Sequence, residues 1–197
     1  MHVYKKRDAK MLQENLTNII NPTKKVRDLE QKLQFSETYE NRIKLADAYF
    51  EIQDYNNALK QYLSALDSTF QNDFHVIEQI ISCYYKNENY DRVIDYSKQV
   101  INHIEFKRSK VQFLYGLSLE KTGDIIEAEK QLKQLDLPYS NYTERLAYIN
   151  FLIRHDKTEA AKTLLNEVFD ETQNMTKMNR KLYKQTIIEI EKLKTDF

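Results

Sequence analysis

The sequence predicts an all-α chain of stacked helix-turn-helix units, and three observations predict it. The first is a residue pattern that recurs with a period of about 34. It reads Leu45-Ala46, Tyr49, Asp54-Tyr55, Ala58, Tyr62, Ala65, then Ile80, Tyr84, Asn89-Tyr90, Val93, Val100. It returns as Tyr115-Gly116, Leu119, Gly123-Asp124-Ile125, Ala128, Leu132 and again as Tyr148, Leu152, Lys157-Thr158, Ala161, Leu165. The turn positions Tyr55, Tyr90, Ile125 and Thr158 are 35, 35 and 33 residues apart. A fixed period in this range marks supersecondary units that bury their apolar faces against their neighbours. The second observation is the presence of only two Gly and two Pro in 197 residues, too few for the tight turns of a large sheet. The third is composition: 30% of residues are charged, and Lys, Glu, Gln and Leu, all good helix formers, are plentiful.

The elements follow in order. Residues 4–20 read as an amphipathic helix with Leu12, Leu16, Ile19 and Ile20 on one side and a basic start at Lys5, Lys6, Arg7 and Lys10. Asn21-Pro22 ends it and opens the next, with Asn21 as cap and Pro22 at the tolerated first position. That second helix runs to about Gln34 with Val26, Leu29 and Leu33 at helical spacing. Four hairpins follow, at 40–53 with 55–69, 74–88 with 90–104, 109–122 with 125–135, and 142–155 with 158–170. Asp54 and Asp124 stand where a carboxylate caps the second helix of a pair. A last helix, 176–195, turns Tyr183, Ile187, Ile190 and Leu193 inward and keeps a charged outer side, as an open stack needs at its end. The organisation is thus an extension at 1–38, four repeats at 39–73, 74–108, 109–141 and 142–174, and a capping helix at 175–197.

At these residues the chain resembles the tetratricopeptide repeat family. The resemblance implies a right-handed superhelical solenoid, with small residues at repeat positions 8, 20 and 27 where the helices of a pair approach. Position 20 holds Ala58, Val93, Ala128 and Ala161; position 8 holds Ala46, Ile81, Gly116 and Ile149; position 27 holds Ala65, Val100, Leu135 and Val168. The second and fourth repeats depart at position 8, which predicts a wider helix crossing there, and the proline usual at position 32 is missing. A looser similarity, through Arg27-Asp28-Leu29-Glu30, Asn41-Arg42, Leu45 to Tyr49 and Asn179 to Tyr183, links the chain to bacterial repeat proteins tethered to the inner membrane by an N-terminal apolar segment. No such segment stands in this sequence, so that similarity implies either a soluble relative or a fragment beginning after the anchor.

In this family the first helix of each pair lines a concave groove, and repeat positions 2, 5, 9 and 12 point into it. Those positions hold Glu40, Ile43, Asp47 and Phe50; His75, Glu78, Ser82 and Tyr85; Lys110, Phe113, Leu117 and Glu120; and Thr143, Leu146, Asn150 and Ile153. They are expected to face solvent, yet many are apolar, and an exposed apolar strip marks a binding surface. Two other readings stand beside this one: a register shifted by one, which makes them core, and a C-terminal helix folded into the groove. The family's carboxylate clamp of Lys, Asn and Arg is absent, since Ile43 and Asp47 occupy its first positions and Gln79 stands where an Asn is expected.

Function classes narrow accordingly. Thirty basic and thirty acidic residues cancel, leaving no electrostatic footprint for nucleic acid. Single Cys83, on an apolar helix face, reads as a buried thiol and excludes an internal disulfide. The four histidines lack metal-ligand spacing, two glycines cannot build a phosphate loop, and no nucleophile elbow occurs. The expectation is therefore a non-catalytic scaffold or adaptor without cofactor that binds a protein or peptide. Its location is expected to be cytoplasmic, or at the inner face of the bacterial membrane through Lys5, Lys6, Arg7 and Lys10. The rival class is a self-associating helical scaffold, a homo-oligomer or membrane-associated assembly factor.

Overall fold

The structure, a computed structural model, describes residues 21–66 and 73–196. The predicted helix 4–20, with the basic residues Lys5, Lys6, Arg7 and Lys10, lies outside the described residues. Regular structure among the described residues is helical throughout, in eleven α-helices: α1 (Pro22–Phe35), α2 (Tyr39–Glu51), α3 (Tyr55–Leu66), α4 (Phe74–Lys86), α5 (Tyr90–Val100), α6 (Lys110–Thr122), α7 (Ile125–Lys133), α8 (Tyr142–Arg154), α9 (Thr158–Gln173), α10 (Lys177–Leu182) and α11 (Lys184–Asp196). The chain divides into two compact units, one ending at Arg92 and one beginning at Val93.

In the first unit α1 packs on α2, α2 pairs with α3, and α3 packs on α4. Asn21 caps α1 by accepting from the Lys24 amide at 3.0 Å. Val26 is the buried anchor of α1, with Leu29 and Leu33 half-buried. Between α2 and α3 the small residues Ala46, Ala58 and Ala65 are fully buried, so the two backbones meet without a cavity. Tyr62 fills the space beside them, and Ile80, Ile81 and the Cys83 thiol are sealed inside α4.

In the second unit α6 pairs with α7 and α8 with α9, α7 packs on α8, and α11 lies against α9 and α8. Gly116 is a point of close approach between α6 and α7. A Cβ placed there would stand 2.9 Å from Leu132 Cδ2, closer than real side chains tolerate. The fourth pair carries Ile149 at the corresponding position, fully buried, as is Ala161 on its partner helix. The terminal helix departs from prediction: it breaks at Tyr183 into α10 and α11. Ile187 and Ile190 still face inward, with Tyr183 and Leu193 half-buried beside them. The helix expected to reach residue 104 ends at Val100, and a turn takes over that buries Phe106 edge-on to Tyr115, ring centres 6.3 Å apart.

The backbone repeats as the sequence does. Gln53, Glu88, Gly123 and Asp156 all take left-handed φ, at 63°, 57°, 91° and 57°. The next amide in each turn then donates back into the helix just ended, Asp54 to Tyr49, Asn89 to Tyr84, Asp124 to Leu119 and Lys157 to Leu152, each at 2.9 Å. This closure satisfies carbonyls that a helix end otherwise leaves bare. Only Gly123 adopts it without a Cβ penalty. Asp54 and Asp124 cap α3 and α7, accepting from the Asn57 and Glu127 amides at 3.2 Å.

Candidate partner-binding faces

Residues at positions 2, 5, 9 and 12 share one face of a helix by spacing alone. On that face the structure grades them. Glu40, His75, Lys110 and Thr143, at position 2, are exposed. Ile43, Asp47, Phe50, Glu78, Tyr85, Phe113, Leu117, Glu120, Asn150 and Ile153 are half-buried rather than the most solvent-facing residues of their helices. Ser82 and Leu146 are buried, at 2% and 5% exposure, which corrects their assignment to the open surface. Ser82 turns its hydroxyl to the Glu78 carbonyl at 2.8 Å. Leu146 lies on α8, against whose start the terminal segment packs: Tyr183 meets Tyr142 edge-on at 5.1 Å, and Thr186 lies 3.3 Å from Thr143 between hydroxyl oxygens. The terminal helix thus reaches position 2 of the last hairpin, at Thr143.

In the first unit the aromatic groove residues also brace turns. Phe50 packs edge-on to Tyr55, ring centres 5.2 Å apart, and Tyr85 does the same to Tyr90 at 5.7 Å. Each joins the end of a first helix to the start of its partner, worth about 0.5–1.5 kcal/mol beyond burial. Asp47 is also engaged, accepting from Tyr62 Oη at 2.6 Å. Burial first, and the Asp47 carboxylate second, push the Tyr62 hydroxyl well above its ordinary range, so it stays a donor. Tyr39 Oη donates to Asp73 Oδ2 at 2.6 Å and ties the start of α2 to the cap of α4. Tyr49 donates to Glu30; burial and that carboxylate push it up to about 12. A cleft of about 520 Å³ opens beside this contact, between α1 and α2, with Leu33, Leu45 and Gln61 in its walls.

In the second unit Phe113 and Leu117 on α6 and Ile153 on α8 are half-buried apolar residues, with the polar Asn150 beside Ile153 on α8 and the exposed Lys110 and Thr143 at the start of the two helices. At the other end Glu120 is occupied. Arg154 Nε and Nη2 donate to its two oxygens at 2.8 Å each, and His155 Nε2 lies 3.0 Å from Oε1. Burial raises the Glu120 pKa; the Arg154 hydrogen bond and charge, then His155, outweigh it and hold the carboxyl below its usual range. Glu120 therefore ties α6 to the end of α8 instead of standing free for a ligand.

Sequence reasoning passed over one polar row. Repeat position 4 holds Arg42, Gln112 and Arg145, and each reaches the second helix of its pair or the segment after it. Arg42 Nη1 donates to Gln61 Oε1 at 3.1 Å. Gln112 is fully buried and donates to Gln131 and Gln134, both at 2.9 Å, while the Arg108 amide donates to its Oε1 at 2.6 Å. Arg145, 1% exposed, donates to Asp136 at 2.7 Å and Glu171 at 2.6 Å, with Glu167 at 3.9 Å. The signal was present: Arg145 stands three residues from both Tyr142 and Tyr148, on the buried stripe of its helix. Tyr142 and Tyr148 are both pushed up to about 12, by burial first and by neighbouring carboxylates second. Among the described residues no three His, Cys, Asp or Glu converge as a metal site, and no helix is long and apolar enough to cross a membrane.

No family model and no curated protein matches the chain. Solved structures do. MamA (residues 41 to the end) from Desulfovibrio magneticus RS-1 aligns with a TM-score of 0.72 at 14% identity, covering 84% of this chain and 94% of that one. YrrB, described as a TPR protein with an unusual peptide-binding site, aligns at 0.65 with 14% identity, over 91% and 88%. BtubC from P. vanneervenii aligns at 0.56 with 13% identity, over 92% and 84%. At these identities the likeness establishes the fold: the chain is an all-α tetratricopeptide-type repeat structure.

Proposed function

We propose that the protein is a non-catalytic interaction scaffold, and that the first-of-pair helices bind a protein segment through their inner faces. The observation that carries this reading is the set Phe113, Leu117 and Ile153, half-buried apolar residues on α6 and α8, while the carboxylate at its end, Glu120, is neutralised within the fold. Partly exposed apolar side chains grouped on neighbouring helices suit a surface that a partner covers. YrrB, whose described peptide site belongs to the same fold, adds to it. The chemistry suits an amphipathic helix or extended segment that lays apolar side chains on Phe113 and Leu117. In the first unit, Ile43, Phe50 and Tyr85 offer a similar but more acidic face, with Glu40 exposed and Glu78 half-exposed, which favours basic residues in the partner.

The test is affinity capture from the producing organism's lysate, wild type against a Tyr85→Asp, Leu117→Asp variant of matched helicity. A protein held only by the wild type is expected, and a peptide from it should lose ~1–3 kcal/mol of affinity on Phe113→Ala. Identical eluates from the two baits exclude this face. A concentration-dependent rise in mass, abolished by the same variant, makes the occupant a second copy.

A further inference from the structure

The last two helices carry a surface that the proposed scaffold role does not use. Met178 and Leu182 on α10 are 78% and 73% exposed, and Ile188 on α11 is 48% exposed. On α11 Ile187 and Ile190 are buried and Ile188 lies on the other side, while α10 has no buried residue and its Met178 and Leu182, four apart, share one exposed face. The charge around it is one-sided. From Thr172 to Ile188 there is no Asp or Glu, whereas Lys177, Arg180, Lys181 and Lys184 all fall there. In a chain with equal numbers of acidic and basic residues, that run stands out. Arg180 is anchored on the Thr172 carbonyl at 3.2 Å, while Lys177, Lys181 and Lys184 are exposed. Glu189 closes the run.

We propose that this outward face of α10 and the start of α11 binds the surface of an anionic lipid bilayer. Protruding apolar side chains flanked by lysines match the interface of a membrane: the apolar tips enter the acyl boundary while the ammonium groups meet lipid phosphates. A protein partner fits less well. A stable protein interface covers roughly 800 Å² on each side and needs complementary shape, and three projecting side chains on convex helices supply neither. A bilayer needs no matching groove. The site is separate from the inner faces of α6 and α8, so it stands or falls apart from the scaffold reading.

The chain has no tryptophan, so Leu182→Trp supplies a single fluorescent reporter. With vesicles of equal parts phosphatidylglycerol and phosphatidylcholine its emission should shift to the blue; with phosphatidylcholine alone it should not. In cosedimentation, the full chain should bind the anionic vesicles, more weakly as salt rises. Lys177→Gln, Lys181→Gln, Lys184→Gln together should weaken binding by roughly a hundredfold, at about fivefold per charge. Met178→Ser, Leu182→Ser should weaken it without unfolding, since both residues are exposed. Changing Lys5, Lys6, Arg7 and Lys10 to Gln should leave it within about threefold, far less than four lost lipid contacts would cost. The proposal is overturned by absence of vesicle binding, by equal binding to both vesicle types, by capture of a soluble acidic protein on this face in place of lipid, or by loss of binding only in the N-terminal variant.

Discussion

The third hairpin (α6–α7) and the fourth (α8–α9) meet the same packing requirement with different residues. In the third, Gly116 lets Leu132 come to where a Cβ would sit, and the polar residue at position 4, Gln112, is neutral and satisfied by amides. In the fourth, Ile149 replaces the glycine and Arg145 replaces the glutamine, held by Asp136 and Glu171. The turn differs in the same direction: Gly123 accepts the left-handed backbone freely, Asp156 accepts it at a cost. The third pair closes by removing atoms, and the fourth by adding charges that must be paired. The difference teaches that one repeat geometry tolerates very unequal local sources of stability, and that a charge in a repeat sequence belongs to a particular face.

The largest break should come from Arg145→Ala. It leaves Asp136 and Glu171 facing a space where a guanidinium stood, and loss of one partner from a buried pair costs about 3–5 kcal/mol. Chemical denaturation should show it, and Gln112→Ala should cost less because no net charge is stranded. Gly116→Val should follow, at about 1–3 kcal/mol, since its new atoms collide with Leu132 in a filled interface. Ile149→Val, in the pair that already carries a large residue, should lose only about 0.5–1.5 kcal/mol. Thermal melts of the two variants sharpen the contrast.

Smaller effects separate the turns and the tie between α6 and α8. Gly123→Ala should destabilise by about 1 kcal/mol through backbone strain alone, because nothing lies within 4 Å of the added Cβ. Asp156→Gly should stabilise by a few tenths to about 1 kcal/mol at the equivalent turn. A destabilised Asp156→Gly would mean that the aspartate makes up its strain through its side chain. The Glu120 tie should appear in pH dependence. Its carboxyl is held below the ordinary value, so its contribution is present above the unfolded-state pKa and lost as pH falls through the lower folded-state one. Glu120→Gln should flatten that part of the stability profile and leave the neutral-pH fold unchanged; an unchanged acid limb would place the carboxylate outside the titrating set.

Much of the fold was legible because the repeat constrains it repeatedly. Helix starts were placed within one residue for most of the hairpins, since Asp54, Asp124 and the small residues Ala58, Ala128 and Ala161 report the same register. The helix ends at Val100 and Lys133 were set too late, because Phe106 and Leu135 keep an apolar period going after the helix has turned. The groove positions were less legible. Helical spacing gives the face but not what lies above it, so Leu146, buried on the helix that α11 packs against, and Ser82, folded onto its own helix, both read as open. Glu120 read as a groove-facing residue because its partners lie 34 and 35 residues away. Arg145 was hidden by habit of composition: in a chain with so many charges, one on the buried stripe looks like the others.

Coverage of the inner face of α6 and α8 by a partner is tested most directly by carbene footprinting of the captured complex against the free chain. Phe113, Leu117 and Ile153 should lose labelling on binding, while Ile126 and Tyr139, exposed elsewhere on the same unit, should keep theirs. Unchanged labelling at Phe113 and Leu117, with protection at Ile126 or Tyr139 instead, would contradict it and move the site off the inner face.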